Sequence, residues 1–329
     1  MTRVVDASGL EAAAELLRDA RRILITAHVN PDADAIGSVL GLARGLRDLG
    51  KDAVAALSDP VPSYAQFLPG SETIVSEIPP GPFDVFVFAD SADIERTGSL
   101  YLSDPARFQT APILNIDHHG TNPLYGSVNY VIPGGSSTSE LVYNLLCALG
   151  VSLDAGTATA LLFGIVGDTG SFQNGATTPS SLEAASALIG AGAANQKVAF
   201  QLFESKTFAG TKLWGEILTN IALDRQRRIV FGYLSQEMLL KSGAEMDETE
   251  GVAEYLRGIR EAVVVMLLKE QPGGEIRVSM RSRPEVDVAA IASYLGGGGH
   301  RQAAGCTVEG PVSAARKTLT DAYDRIVGT

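Results

Sequence analysis

The sequence predicts an α/β protein with two domains, a parallel-sheet domain over residues 1–222 and a smaller α/β domain over residues 223–329. Three observations lead there. Short runs of continuous apolar residues alternate with helical patterns, as in sheets covered on both faces. Polar residues recur where those runs end, which is where open parallel sheets bind ligands. After the polar segment Asp224–Arg228 (DRQRR), a hinge candidate, the pattern restarts.

Taken in order, Glu11–Arg18 has the spacing of an amphipathic helix. The run Ile23–Ala27 (ILITA) reads as a strand that ends at His28, and a helical stretch follows Pro31 to about Leu49. Strands are then expected at Ala53–Leu57, at Asp84–Ala89 ending in Asp90, and at Pro112–Ile116 ending in Asp117. From Ser136 the pattern turns helical. Ser137-Thr138-Ser139-Glu140 has the form of a capping box, and a second helix runs from Ala155 into Gly167-Asp168. Beyond residue 223 strands are expected at Ile229–Leu234, Ala262–Leu268, Glu275–Met280 and near Cys306. Helices are expected near Thr249–Arg260, from Val288, and at the C-terminus.

Composition narrows the function. With 45% hydrophobic and 19% charged residues the chain is folded, and its net charge of −12 excludes a basic coat for long nucleic acid. Glu11, Glu15 and Asp19 interrupt the start and no apolar window is long enough for a span, so no membrane segment or secretory signal is expected and the chain reads as cytoplasmic. Cys147 and Cys306 read as reduced core thiols. Between Arg107 and Lys197 there is no Lys or Arg, so an anionic substrate there would need positive charge from a metal. Taken alone, the gap is better explained by a plain apolar, Gly/Ser-rich core.

The residues that could carry chemistry sit at the expected strand ends. His28-Val29-Asn30-Pro31-Asp32-Ala33-Asp34 offers an imidazole and two carboxylates, a mixture suited to Mn²⁺ or a similar ion. An acidic helix N-terminus would look the same. Asp90 alone would serve as a turn or cap residue. Adjacent histidines at a strand-to-loop junction, as in Asp117-His118-His119-Gly120, are rarer. One can ligate while the other, facing away, is free to hold substrate, and a surface turn with two exposed histidines is the weaker alternative. Asp168 ends an apolar helix, where a carboxylate opposes the macrodipole and local energetics do not explain it. Two divalent ions about 3.5–4 Å apart need six or seven ligands to clamp a phosphoryl transfer. His28, Asp32, Asp34, Asp90, His118 and Asp168 supply that number if one carboxylate bridges.

The segments HVNPDADAIGS, FADSAD, IDHHGTN and VGDTGSF, in this order, resemble the four motifs of the DHH phosphoesterase superfamily. GGGGHRQAAG resembles the nucleotide-binding domain associated with it. The likeness spans nearly the whole chain and is nearest to stand-alone bacterial members, either bifunctional oligoribonuclease and pAp phosphatase or cyclic di-AMP/pApA phosphodiesterase. It implies two Mn²⁺ ions, with Mg²⁺ or Co²⁺ as substitutes, and an active site in the cleft between the domains. His28, Asp32 and Asp90 would hold one ion; Asp34, Asp90, His118 and Asp168 would hold the other. His119 would face the scissile phosphate, with Asp117 orienting a histidine rather than ligating. Two departures are small: Ala33 stands where a glycine is frequent, and Gln173-Asn174 follow Phe172 where many members carry Arg or an aromatic.

In the second domain, the resemblance implies that Arg281, Gly298, Gly299 and His300 contact the substrate's phosphate or base, with Arg283 and Ser137 as further candidates. A flexible glycine link, a solvated arginine face and a helix cap explain the same residues without a ligand. The implied substrates are short RNA, pApA and pAp, cut to mononucleotides, and the family leaves room for a homodimer. Cyclic di-AMP hydrolysis, a DHH-type inorganic pyrophosphatase, a RecJ-like exonuclease and a non-catalytic nucleotide-binding module are the competing readings. The glycine-rich domain counts against the pyrophosphatase, the lack of a basic channel against the exonuclease, and the complete ligand set against the module.

Overall fold

The computed structural model describes residues 7–328, which divide into two compact units at Ser205/Lys206. The first unit comprises α1 (Ala7–Asp19), β1 (Arg22–Thr26), α2 (Ala33–Asp48), β2 (Asp52–Ala56), β3 (Val85–Ala89), α3 (Ser99–Leu102), β4 (Ile113–Asp117), β5 (Val128–Val131), α4 (Thr138–Ala148), α5 (Ala155–Asp168), α6 (Pro179–Gly190) and α7 (Asn195–Ala199). Its five strands pair in parallel in the order β2-β1-β3-β4-β5. The two faces are covered differently. Ile23, Ile25, Val85, Val87, Leu114 and Ile116 pack with the helices α1, α2, α4 and α5. Leu24, Phe86 and Phe88 pack under Phe83, Leu100 and Phe108, which come from short turns rather than long helices. The edge strand β5 was not expected from the sequence, because a run of four residues interrupted by Asn129, with only Tyr130 fully buried, carries little apolar signal.

Helices α2 and α5 cross at glycines. A Cβ on Gly37 would lie 2.5 Å from the Ala160 carbonyl oxygen, and one on Gly164 would lie 2.0 Å from Ser139 Oγ and 2.8 Å from Asp34 Oδ1. Ala33 fits the same seam, its methyl occupying the space beside Gly167, where a Cβ would meet it at 2.5 Å.

The second unit comprises α8 (Phe208–Thr219), β6 (Ala222–Asp224), β7 (Ile229–Leu234), α9 (Gln236–Ser242), α10 (Val252–Arg257), β8 (Val264–Glu270), β9 (Ile276–Ser282), α11 (Val288–Tyr294), β10 (Gly298–His300), β11 (Ala303–Val308) and α12 (Val312–Val327). Its sheet runs β10-β11-β9-β8-β7-β6, antiparallel except for the β7–β8 pair. Leu213, Ile217 and Leu256 cover Val230, Val265 and Leu267 on one face. Ile291 and Leu319 cover Met266, Val278 and Met280 on the other.

Several expectations are revised. The division falls before residue 223 because α8 buries Leu213 and Ile217 against the second sheet. Asp224–Arg228 connects the antiparallel pair β6 and β7, so it is a hairpin turn and not a hinge between domains. Cys147 is exposed, because α4 turns Leu141, Val142, Leu145 and Leu146 inward; only Cys306 is a core thiol. The glycine run is no loose link: Gly298–His300 is a strand, and Gly299, at φ 139°, lies where a Cβ would come within 2.6 Å of Ala304 Cα.

The α2–α5 crossing gives the first prediction. Gly164→Ala should destabilise the protein by about 2–3 kcal/mol, lowering Tm by on the order of 5–10 °C in a thermal melt, since neither a buried hydroxyl nor a buried carboxylate can give way cheaply.

Candidate metal centre

The C-terminal ends of β1, β3 and β4 deliver His28, Asp90 and the Asp117-His118-His119 run to one edge of the parallel sheet. Asp32 lies just before α2. Its Oδ1 accepts the N–H groups of Asp34 and Ala35, capping the helix, while Oδ2 lies 3.9 Å from His28 Nε2. The helix-cap and ligand readings of this residue are therefore compatible, one oxygen for each. Asp34, in the first turn of α2, is buried. Its two oxygens accept the backbone N–H groups of Thr138 (2.6 Å) and Ser139 (2.8 Å) at the start of α4. The positive end of a helix dipole thus faces a buried carboxylate.

Asp90 is 2% exposed and sits between two histidines: Oδ2 is 3.4 Å from His28 Nε2, and Oδ1 is 3.5 Å from His118 Nε2. His118 Nε2 also lies 3.2 Å from Asp168 Oδ2 and 3.8 Å from Asp34 Oδ2. The orientation of both rings is fixed by carbonyls at Nδ1, Val29 at 2.8 Å from His28 and Gly135 at 3.2 Å from His118. With Nδ1 donating, a neutral ring turns its Nε2 lone pair toward carboxylate oxygens. Lone pairs facing anions repel unless a cation lies between them. Ligands about 2.1 Å from one ion lie about 3 Å from each other, close to the spacing seen here.

Electrostatics points the same way. Burial, and then Asp90, push the Asp34 carboxyl up to about 7, and burial holds Asp168 well above the usual carboxylate range. Burial works against a charged ring at His28, yet Asp90 and Asp32 outweigh it and push its pKa up to about 9. His118 is raised well above its ordinary value, against burial, by Asp90 and Asp168. Despite its own burial, Asp90 is held well below the usual range by His118 and His28. So much buried negative charge holds protons when no cation is bound, and a divalent ion takes their place. Among the clusters of potential ligands in the described residues are His28/Asp32/Asp90 and Asp34/His118/Asp168, with Asp90 facing a histidine of each. This donor set of imidazole and carboxylate is that of a divalent-metal centre.

Asp117 is turned away from this role. Its Oδ1 accepts from His118 N (2.8 Å), His119 N (3.3 Å) and His119 Nδ1 (2.7 Å), and its Oδ2 from Asn122 Nδ2 (2.6 Å). The histidine whose ring it orients is His119. Ser137 accepts the Glu140 N–H as the N-cap of α4, but Glu140 reaches back to Ser136, one residue earlier than a standard capping box requires. Ser137 is fully buried, and capping accounts for its hydroxyl. Asn174 donates to the Asp168 carbonyl at 2.7 Å, so it caps the end of α5.

In the second unit, His300 pairs with Ala303 and Ala303 with Arg281 across β10, β11 and β9. Directly opposed residues share a face, so His300 and Arg281 flank the small Ala303 at two strand spacings, about 9–10 Å. Arg281 is anchored by Nε to Glu254 Oε1 (2.5 Å) and Nη1 to the Met280 carbonyl (2.9 Å). Arg277 shares that outward face. Arg283 lies one residue past the end of β9, with Nη2 donating to the Ile259 carbonyl at 3.1 Å.

Sequence reasoning missed Thr138, Ser139 and Asn122 as supports. The helix-start signal at 137–140 was visible, but what the freed N–H groups would face was not.

Fold and site together define a metal-dependent phosphoesterase, a hydrolase. Residues 22–165 match the "DHH family, N-terminal domain" and residues 228–329 match the "DHHA1 domain". The chain is 37% identical over 315 residues to the bifunctional oligoribonuclease and PAP phosphatase NrnA of Thermus thermophilus, covering 93% of this chain and 88% of that protein. It is 31% identical over 294 residues to the protein of the same name in Bacillus subtilis, covering 87% and 89%. The structure of an exopolyphosphatase-related protein from Bacteroides fragilis superposes with a TM-score of 0.89 over the full length of both chains, at 23% identity. This chain belongs to the DHH family, with a DHHA1 domain at its C-terminal end.

A metal titration follows from the geometry. A divalent ion at about 100 times its Kd should stabilise the protein by about 2.7 kcal/mol, seen as an upward shift in Tm that EDTA reverses. Asp90→Asn should abolish most of that shift, because this carboxylate faces a histidine of each group.

Proposed function

We propose that this enzyme hydrolyses short oligoribonucleotides and dinucleotides such as pApA, and also pAp, releasing mononucleotides, with two Mn²⁺ ions as cofactor and Mg²⁺ or Co²⁺ as substitutes. The observation that carries this reading is Asp90, whose two oxygens face Nε2 of His28 and of His118. His28, Asp32 and Asp90 would hold one ion, and Asp34, His118 and Asp168, with Asp90 between them, the other. When bound, such ions supply a nucleophile from water at neutral pH and neutralise charge building on the phosphate.

The chain's own residues do the rest. Asp117 Oδ1 holds the His119 ring through Nδ1, which keeps the imidazole in one orientation. His119 then meets the scissile phosphate and the charge developing there. On the second sheet, Arg281 and His300 hold the substrate's phosphate or base above Ala303, where Gly298 and Gly299 keep the surface low. With Nε and Nη1 anchored, Arg281 keeps guanidinium donors for a phosphate, a charge-assisted contact of about 1.5–3 kcal/mol. The substrate names carried by the two relatives support short nucleotides over pyrophosphate, as does the match to the DHHA1 domain.

The test is an assay of pure protein with Mn²⁺ against pApA, pAp, cyclic di-AMP, pyrophosphate and a long single strand. Turnover is expected on pApA and pAp; a preference for pyrophosphate would overturn the substrate class. Asp90→Asn should lose all activity, and retained turnover would rule out its bridging role. Arg281→Ala should raise KM for pApA about tenfold or more while kcat changes by less than about threefold.

A further inference from the structure

Asp90 occupies the left-handed region, at φ 54°, which non-glycine residues adopt at a cost of about 1–3 kcal/mol and keep only where neighbours over-determine them. The residue after it, Ser91, is fully buried, and its carbonyl oxygen accepts Tyr125 Oη at 2.8 Å and, more distantly, Asn122 Nδ2 at 3.4 Å. Tyr125 is the principal donor to this carbonyl. The loop that delivers it is closely specified. The Leu124 N–H (2.8 Å) and Asn115 Nδ2 (2.9 Å) both donate to Asn122 Oδ1, which settles the amide's orientation and turns its Nδ2 to Asp117. Leu124 is itself left-handed, at φ 62°, and sends the chain back toward β3. There the Tyr125 ring packs edge-on against Phe88, centroids 6.0 Å apart, two residues before Asp90. Burial, and then Asp117, Asp93 and Asp90, hold the phenol well above its usual range, so it remains a donor at any working pH.

We propose that Tyr125 is a positioning residue for the metal centre, holding Asp90 between His28 and His118 through the Ser91 carbonyl. The role rests on the reading of Asp90 as the shared ligand. It adds a residue that lies outside all four sequence motifs.

The experiment is calorimetric titration of metal-free protein with Mn²⁺ at 25 °C, for the parent, Tyr125→Phe and Tyr323→Phe. The last is a matched control, since Tyr323 also donates its hydroxyl to a carbonyl, that of Arg227 in the second unit. Tyr125→Phe keeps the ring and its packing on Phe88 and removes only the donor. Its Kd for Mn²⁺ should rise about tenfold, the scale typical of residues that orient a metal ligand. Its KM for pApA at saturating Mn²⁺ should stay within about twofold of the parent. Tyr323→Phe should leave Mn²⁺ affinity unchanged. A role in folding alone would lower Tm and leave Mn²⁺ affinity at the parent value, and that result overturns the proposal. A parent protein that binds no Mn²⁺ would instead overturn the metal reading on which the proposal rests.

Discussion

Burying carboxylates without counter-charge is the constraint around which the first unit is arranged. Asp34, Asp90 and Asp117 lie at or near zero exposure, and water cannot solvate them there. Each is met by different chemistry. Asp34 takes two N–H groups from the start of α4, Asp117 takes four donors from its own loop, and Asp90 faces imidazoles. What backbone and imidazole leave unneutralised is the charge that a divalent ion offsets. The Lys/Arg gap between 107 and 197 fits this arrangement, because a fixed guanidinium among these carboxylates would compete with the metal.

Close packing sets the geometry that electrostatics needs. Asp34 lies in the first turn of α2 and Asp168 ends α5, so the distance between these carboxylates depends on how closely the two helices cross. Glycines at 37 and 164 allow backbone to meet backbone, and Ala33 against Gly167 completes the seam. The unfavourable position of Asp168 at a helix C-terminus is tolerated for the same reason: its partner is His118, 3.2 Å away, and not the helix it terminates. Backbone strain serves the same end at Asp90, where a left-handed turn aims a carboxylate that an extended strand would point elsewhere.

Net charge describes the chain less well than its distribution does. Residues 1–222 hold 12 basic and 23 acidic side chains, and several of the acidic ones are buried at the centre. The second unit is nearly balanced and places Arg281 and His300 on one sheet face. A chain of net charge −12 can therefore handle small phosphate compounds while lacking the coat that long nucleic acid needs.

Local patterns in the sequence were enough to place the strands β1 to β4, the helices α2, α4 and α5, and the candidate ligands at their ends, because apolar runs and polar strand ends are short-range signals. Other features were decided by contacts between distant segments. The pairing of α8 with the second sheet moved the division to Ser205/Lys206, and the DRQRR segment became a turn once Ala222 found Phe231. Cys147 was left outside by the facing of α4, and the glycine run became a strand against β11. The sequence alone names Asp32 as either a helix cap or a ligand, and only the fold gives each oxygen its own partner. Thr138, Ser139, Asn122 and Tyr125 bear no local mark of their tasks, because each acts through a hydrogen bond to a segment whose position is set by tertiary packing.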